Sequence, residues 1–228
     1  MYGNEREVGE AVRESGIDRD EIFVTSKLNN SFHAPEAAAQ AFQGTLDALD
    51  IGHVDLFLMH WPLTDGGYVD TWRAMERMYE TGRVRAIGVS NFNEHHLNRL
   101  AAETTITPAA NQIEVHPYLT QEPLRAYGRE HGIATEAWSP IAQGLVLKDP
   151  VVERISRRVE KSPAQIVLRW HIQRGDIVFP KSVTPERVRD NFAIFDFELS
   201  DADMSDITLL NRDERTGPDP DVFDYIPS

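Results

Sequence analysis

VDLFLMHWP, residues 54–62, is a nearly unbroken apolar run that stops on His60 and Trp61. A strand buried on both faces reads this way, and strands of that kind belong to parallel sheets covered by helices. The same phrase recurs on either side of it. EIFVTSK (21–27) ends on Lys27, VRAIGVSN (84–91) ends on Ser90 and Asn91, and PAANQIEVH (108–116) carries Gln112 and His116. IATEAWSP (133–140) carries Trp138 and Ser139, and DIVFPKS (176–182) ends on Lys181 and Ser182. Polar groups gathered at the C-terminal ends of successive buried strands are how a (β/α) barrel builds a reactive face.

Amphipathic stretches separate the runs. Residues 4–15 carry an apolar stripe at Val8, Ala11 and Val12, closed by Gly16, and Pro35 opens a helix through Leu49 with Ala38, Phe42, Thr45, Leu46 and Leu49 turned inward. Further helices are predicted over Val69–Glu80, Glu94–Glu103, Glu122–His131, Pro150–Val159, Pro163–Gln173, Pro185–Phe195 and Ser200–Leu210. The last has Ser200 as N-cap with Asp203 three residues on. Strands are predicted at Glu21–Lys27, Val54–His60, Val84–Val89, Ala109–Val115, Ile133–Ala137 and Asp176–Pro180. Strand–helix alternation implies an α/β fold with a parallel sheet and right-handed crossovers. No GxGxxG turn marks a doubly wound sheet. From about residue 214 to 228 the chain has little periodicity and reads as a tail laid on the body.

The 228 residues are enough for one sizeable core, so a single domain over 1–228 is expected. A formal charge of -14 opposes binding to nucleic acid or to an anionic membrane surface. No cysteine is present, which removes disulfides, thiolate nucleophiles and cysteine metal sites. With no leader segment and no apolar run near the roughly 20 residues that cross a bilayer, the cytoplasm is the expected location.

Tyr2, Lys27 and His60 form the suggestive constellation: a phenol before the first helix, an ammonium ending one strand and an imidazole ending the next. An ammonium near a phenol favours the phenolate and draws its pKa toward the working range of a general acid. The remaining histidines, His33, His53, His95, His96, His131 and His171, are scattered without metal-ligand spacing, and His116 before Pro117 reads as structural. No metal is expected. A barrel hydrolase using His60 and His116 would need a His-x-His and carboxylate set that is not visible.

MYGNEREVGEAV (1–12), TSKL (25–28), DLFLMHWP (55–62), AIGVSNF (86–92), NQIEVHP (111–117) and FPKSVTPERVRDN (179–191), in this order, resemble the aldo-keto reductases, and among them the bacterial 2,5-diketo-D-gluconate reductases. The resemblance implies an eight-stranded TIM barrel, NADPH as cofactor and a small-molecule aldehyde or ketone, keto-sugar acids among them, as substrate. It makes Tyr2 the proton donor, Lys27 its tuner and His60 the group that orients the carbonyl, with Trp61 lining the substrate pocket. It assigns Ser90, Asn91 and Gln112 to the nicotinamide carboxamide and Trp138 to the nicotinamide face, with Ser139 and Ile141 beside the cofactor. Lys181, Ser182 and Arg187 are implied for the adenosine 2′-phosphate, together with Val183, and Asp190 and Asn191 for the adenine. An ammonium, a hydroxyl and a guanidinium near a helix N-terminus suit an anion.

The chain departs from the family pattern at its start. The two strands, one helix and aspartate that precede the family's tyrosine are missing, so Lys27 is expected to lack its usual carboxylate, and Asn29 and Asn30 stand where an aromatic is common. The family's complete barrel is expected to be monomeric; this chain alone is expected to be oligomeric or aggregated and without reductase turnover, because two open strand edges invite pairing. The rival reading is a catalytically impaired member acting as a nucleotide-binding or oligomer subunit.

Overall fold

The structure, a computed structural model, describes residues 3–227. The strand order in the sheet is the order in the chain. The chain separates into two compact units, Met1–Asn111 with Pro220–Ser228, and Gln112–Asp219.

The first unit holds α1 (Glu5–Glu14), β1 (Thr25–Leu28), α2 (Pro35–Leu49), β2 (Val54–Met59), α3 (Tyr68–Glu80), β3 (Val84–Ser90) and α4 (Glu94–Glu103). β1 pairs β2 and β2 pairs β3, both parallel, with Lys27 opposite Leu58 and Leu58 opposite Gly88. Every residue of β2 is buried, as its apolar run requires. That includes Asp55, whose carboxylate accepts from the Val24 amide at 2.8 Å and from Arg19 at 2.7 Å. Burial alone would raise its pKa; the Val24 and Arg19 hydrogen bonds outweigh burial and hold it below the usual carboxylate range. α1 lies against the C-terminal end of α2 at Gly9, where a Cβ would come within 1.8 Å of the Leu49 carbonyl oxygen. Only glycine allows that approach, and Arg13 seals it by donating to the same carbonyl at 2.7 Å.

The chain leaves the first unit along β4 (Ala110–Glu114). The second unit adds α5 (Glu122–His131), β5 (Ala134–Trp138), α6 (Pro150–Val159), α7 (Pro163–Arg174), β6 (Ile177–Val178), α8 (Pro185–Phe192) and α9 (Asp201–Thr208). β5 and β6 are parallel, with Glu136 opposite Ile177. Its core joins Val152 and Ile155 of α6, Ile166, Val167 and Trp170 of α7, Leu199, and Ile207 of α9. Ser200 caps α9 in a reciprocal capping box with Asp203, as its spacing predicts.

Several predicted boundaries move, among them those of β1, β6 and α8. β1 starts at Thr25 rather than Glu21, because Asp18 accepts from the Asp20 amide and turns 19–21 into a 3₁₀ segment. β6 contains two residues where five were predicted. α8 stops at Phe192 rather than Phe195, because Ala193 leaves helical geometry and α7's Gln165 takes the Asp190 and Ala193 carbonyls at 3.2 and 2.9 Å. Among the described residues no helix is long and apolar enough to cross a membrane.

Candidate active site

In the first unit the chemistry-bearing residues stand at the C-terminal ends of three adjacent strands. Lys27 is half-buried in β1, His60 follows β2 directly, and Ser90 ends β3 with Asn91 next to it. Asn91 sits in the left-handed region at φ 64, and its amide donates to the His60 carbonyl at 2.9 Å and to Ser90 Oγ at 3.1 Å. This ties the β3 end to the β2 end. Tyr2 lies outside the described residues.

His60 is driven to a pKa of about 3, first by burial and then by the positive charge of Lys27 and the nearby His33. It is therefore a neutral imidazole at physiological pH. Spacing alone set His33 aside, yet it is close enough for its charge to bear on His60. Burial holds His33 itself near 4 against the pull of Asp65, and neither of its buried ring nitrogens has a hydrogen-bond partner among the described residues. Lys27 also shares a cleft of about 270 Å³ with Glu5 of α1, Phe32 and Phe57. Glu5 thus places a carboxylate beside the lysine cleft, a placement invisible in the residue pattern.

Trp61 is buried at 5 % exposure, edge-on to His60 at 5.9 Å between ring centroids. The tail covers it: Phe223 lies 4.1 Å from the indole centroid. Asn30 donates to the Tyr225 carbonyl at 2.9 Å, Ser31 to that of Pro227 at 2.8 Å, and Asn93 to the Asp221 carboxylate at 2.7 Å. The sequence marked 214–228 only as a tail, and its aromatic contact with Trp61 carries no periodic signal.

Asp221 also faces His95 at 3.5 Å and His96 at 3.9 Å, a trio whose ligand-type atoms all lie within 4.8 Å. His96 Nδ1 accepts the Asn93 amide at 3.1 Å in the cap of α4. The ring proton is accordingly on Nε2, turned toward the carboxylate, and burial lowers the His96 pKa to about 4. A cation there would have to displace that proton and the helix cap, so the trio reads as an anchor for the tail.

In the second unit, Gln112 is buried and donates to Glu136 of β5 at 2.7 Å. Trp138 ends β5, and Ser139 follows it at φ 50. A cleft of about 660 Å³ is lined by Ile141, Lys181, Ser182, Val183, Arg187, Asp190 and Asn191. All seven were singled out from sequence, and all seven meet here. Ser182 Oγ accepts the Thr184 amide at 3.2 Å and orders the turn into α8, whose N-terminus has no side-chain cap. Open helical N–H groups beside an ammonium and a guanidinium suit an anion. Among the described residues Arg187 makes no salt bridge.

The aldo/keto reductase family model matches residues 1–212. The chain is 48% identical over 221 residues to glyoxal reductase of Bacillus subtilis, spanning 97% of this chain and 80% of that protein. It is 46% identical over 227 residues to methylglyoxal reductase DkgA of Yersinia pestis, spanning 98% and 81%. Among solved structures, a mutant of Gox0644 in complex with NADPH matches with a TM-score of 0.93 at 40% identity, over 98% of this chain and 82% of that one.

Proposed function

The chain belongs to the aldo/keto reductase family, and from that premise we propose that it is an NADPH-dependent reductase of aldehydes and ketones. The observation that carries this reading is the cleft of the second unit, where the uncapped N-terminus of α8 meets Lys181 and Arg187. A phosphate monoester on a ribose fits that corner, since the guanidinium fork and ammonium supply charge and the helix supplies directed N–H groups. Asp190 and Asn191 line the same cleft and suit the adenine edge. When bound, NADPH supplies the hydride.

The chain's own residues supply the rest. Tyr2 delivers the proton to the carbonyl oxygen, and Lys27 lowers the phenol's pKa by favouring its ionised form. Neutral His60 donates a ring N–H to the same oxygen without adding a second cation beside Lys27. Trp61, sealed by Phe223, gives the substrate an apolar wall. The names of the glyoxal and methylglyoxal reductases favour small, electrophilic carbonyls as substrates, with keto-sugar acids as the more polar alternative.

The test follows NADPH binding and NADPH consumption with glyoxal or methylglyoxal. In a form that also carries the strands the family places before its tyrosine, Tyr2→Phe should retain cofactor binding and lose roughly 10²–10⁴-fold in turnover, the range of general acid catalysis. Near-normal turnover in that variant would remove Tyr2 from the mechanism. Binding without turnover in that form with Tyr2 intact would instead favour a nucleotide-binding protein of the same fold.

A further inference from the structure

Glu114 is the last residue of β4, and its side chain is wholly buried, at 0 % exposure. A buried carboxylate is costly unless donors surround it. Here they do. His116 Nε2 donates at 3.1 Å, the Thr216 amide at 2.6 Å, the Thr216 hydroxyl to the same oxygen, and the Gly217 amide at 3.2 Å to each carboxylate oxygen. Burial would raise the pKa of Glu114, but the hydrogen bonds from His116 and Thr216 prevail and keep it below the usual carboxylate range. Glu114 is thus an anion whose main partners come from a turn about a hundred residues away in the chain.

That turn presses on Trp138. A Cβ at Gly217 would lie 2.4 Å from Cη2 and 3.0 Å from Cζ3 of the indole, and 3.5 Å from Oε2 of Glu114. Bare main chain therefore contacts the six-membered ring of the tryptophan, closer than any side chain would permit, and the carboxylate holds that main chain through the Gly217 amide. Trp138 itself is only half-buried, so the turn does not cover the residue completely.

We infer that Glu114 is a positioning residue for the cofactor: acting through Thr216 and Gly217, it fixes the plane of the Trp138 indole on which the nicotinamide ring rests. The inference deepens the proposed function and rests on its assignment of Trp138 to the nicotinamide face. A clasp that served stability alone would not discriminate between ligands with and without that ring.

The experiment compares NADPH with adenosine 2′,5′-bisphosphate, which keeps the phosphate-bearing adenosine and lacks the nicotinamide. Affinities are measured for the unaltered chain and for Glu114→Gln, Gly217→Ala and Trp138→Ala. Thermal melts establish that each variant is folded, and hydrogen exchange follows the Thr216 and Gly217 amides. Glu114→Gln and Gly217→Ala should each weaken NADPH on the order of tenfold, a difference readily resolved in an equilibrium constant, and leave the bisphosphate within about twofold. Glu114→Gln should also speed exchange at both amides. Equal weakening of both ligands would reduce the clasp to a structural role and overturn the inference. So would unchanged NADPH affinity in Glu114→Gln and Gly217→Ala when Trp138→Ala weakens NADPH alone. If Trp138→Ala leaves the ratio of the two affinities unchanged, the assignment of Trp138 fails, and the inference fails with it for that separate reason.

Discussion

His33, His60 and His96 are held neutral by burial, at pKa values of about 4, 3 and 4, against 6.5 for the free side chain. A folded-state pKa below the unfolded one stabilises the fold at pH above 6.5, and that stability is lost as pH falls from there toward the folded values. Acid should therefore destabilise the first unit, each histidine costing on the order of 2 kcal/mol by pH 4.5. Replacing His33 by Gln, which cannot take up a proton, should flatten the melting temperature between pH 7 and 4.5; an unchanged slope would show that His33 takes up protons alike in the folded and unfolded chain, so that burial does not depress its pKa. At the other end of the residue scale is Arg187, exposed on α8 and lining the cleft with Lys181. Arg187→Ala should weaken NADPH by about 1.5–3 kcal/mol, the worth of a hydrogen bond to a charged group, and leave NADH nearly unaffected. Equal losses for the two cofactors would remove the 2′-phosphate from the argument.

Among the elements, β6 is the least able to hold itself, since two residues make little ladder. Its position is fixed instead by Asp176, which precedes it with a fully buried carboxylate. Arg125 of α5 pairs with one carboxylate oxygen at 2.6 Å, while His171 of α7 approaches the other at 2.9 Å and Arg174 at 3.5 Å. Removing one partner of a buried ionic group strands the others, so Asp176→Asn should cost about 3–5 kcal/mol, read as a lower urea midpoint. A loss under about 1 kcal/mol would mean that water already reaches this network. The existence of α1 to α9 was legible, because apolar periodicity and caps such as Ser200 are local. The start of β1 and the ends of β6 and α8 were not, because Asp18, Gln165 and the Asp176 network act through side chains that periodicity does not weigh.

At the scale of the whole chain, residues 220–227 return to the first unit after the second is complete. There the tail lays Phe223 on Trp61 and is held through Asn30, Ser31 and Asn93. Phe223→Ala should lose about 0.5–1.5 kcal/mol of aromatic pairing and expose Trp61, now 5 % accessible, so that tryptophan emission shifts to the red. Trp61→Phe in the same background should abolish that shift, and an unchanged spectrum in Phe223→Ala would mean the tail does not cover the indole in solution. The tail thus gives the first unit a wall assembled from the last residues of the chain.

The order of buried runs and amphipathic helices, the polar residues at strand ends and the basic FPKS–ERVRDN stretch were all written locally, and they determined the parallel α/β fold, the family and the cleft residues around Lys181 and Arg187. Those features are legible because strand burial, helix periodicity and a helix-borne anion corner each depend on residues a few positions apart. Tertiary structure alone decided that His33 bears on the basicity of His60, that Glu5 shares a cleft with Lys27, that Phe223 covers Trp61, and that Glu114 holds Gly217 against Trp138. Each of these couples residues brought together only by folding, through burial, charge or direct contact, and a one-dimensional pattern carries no record of such distances.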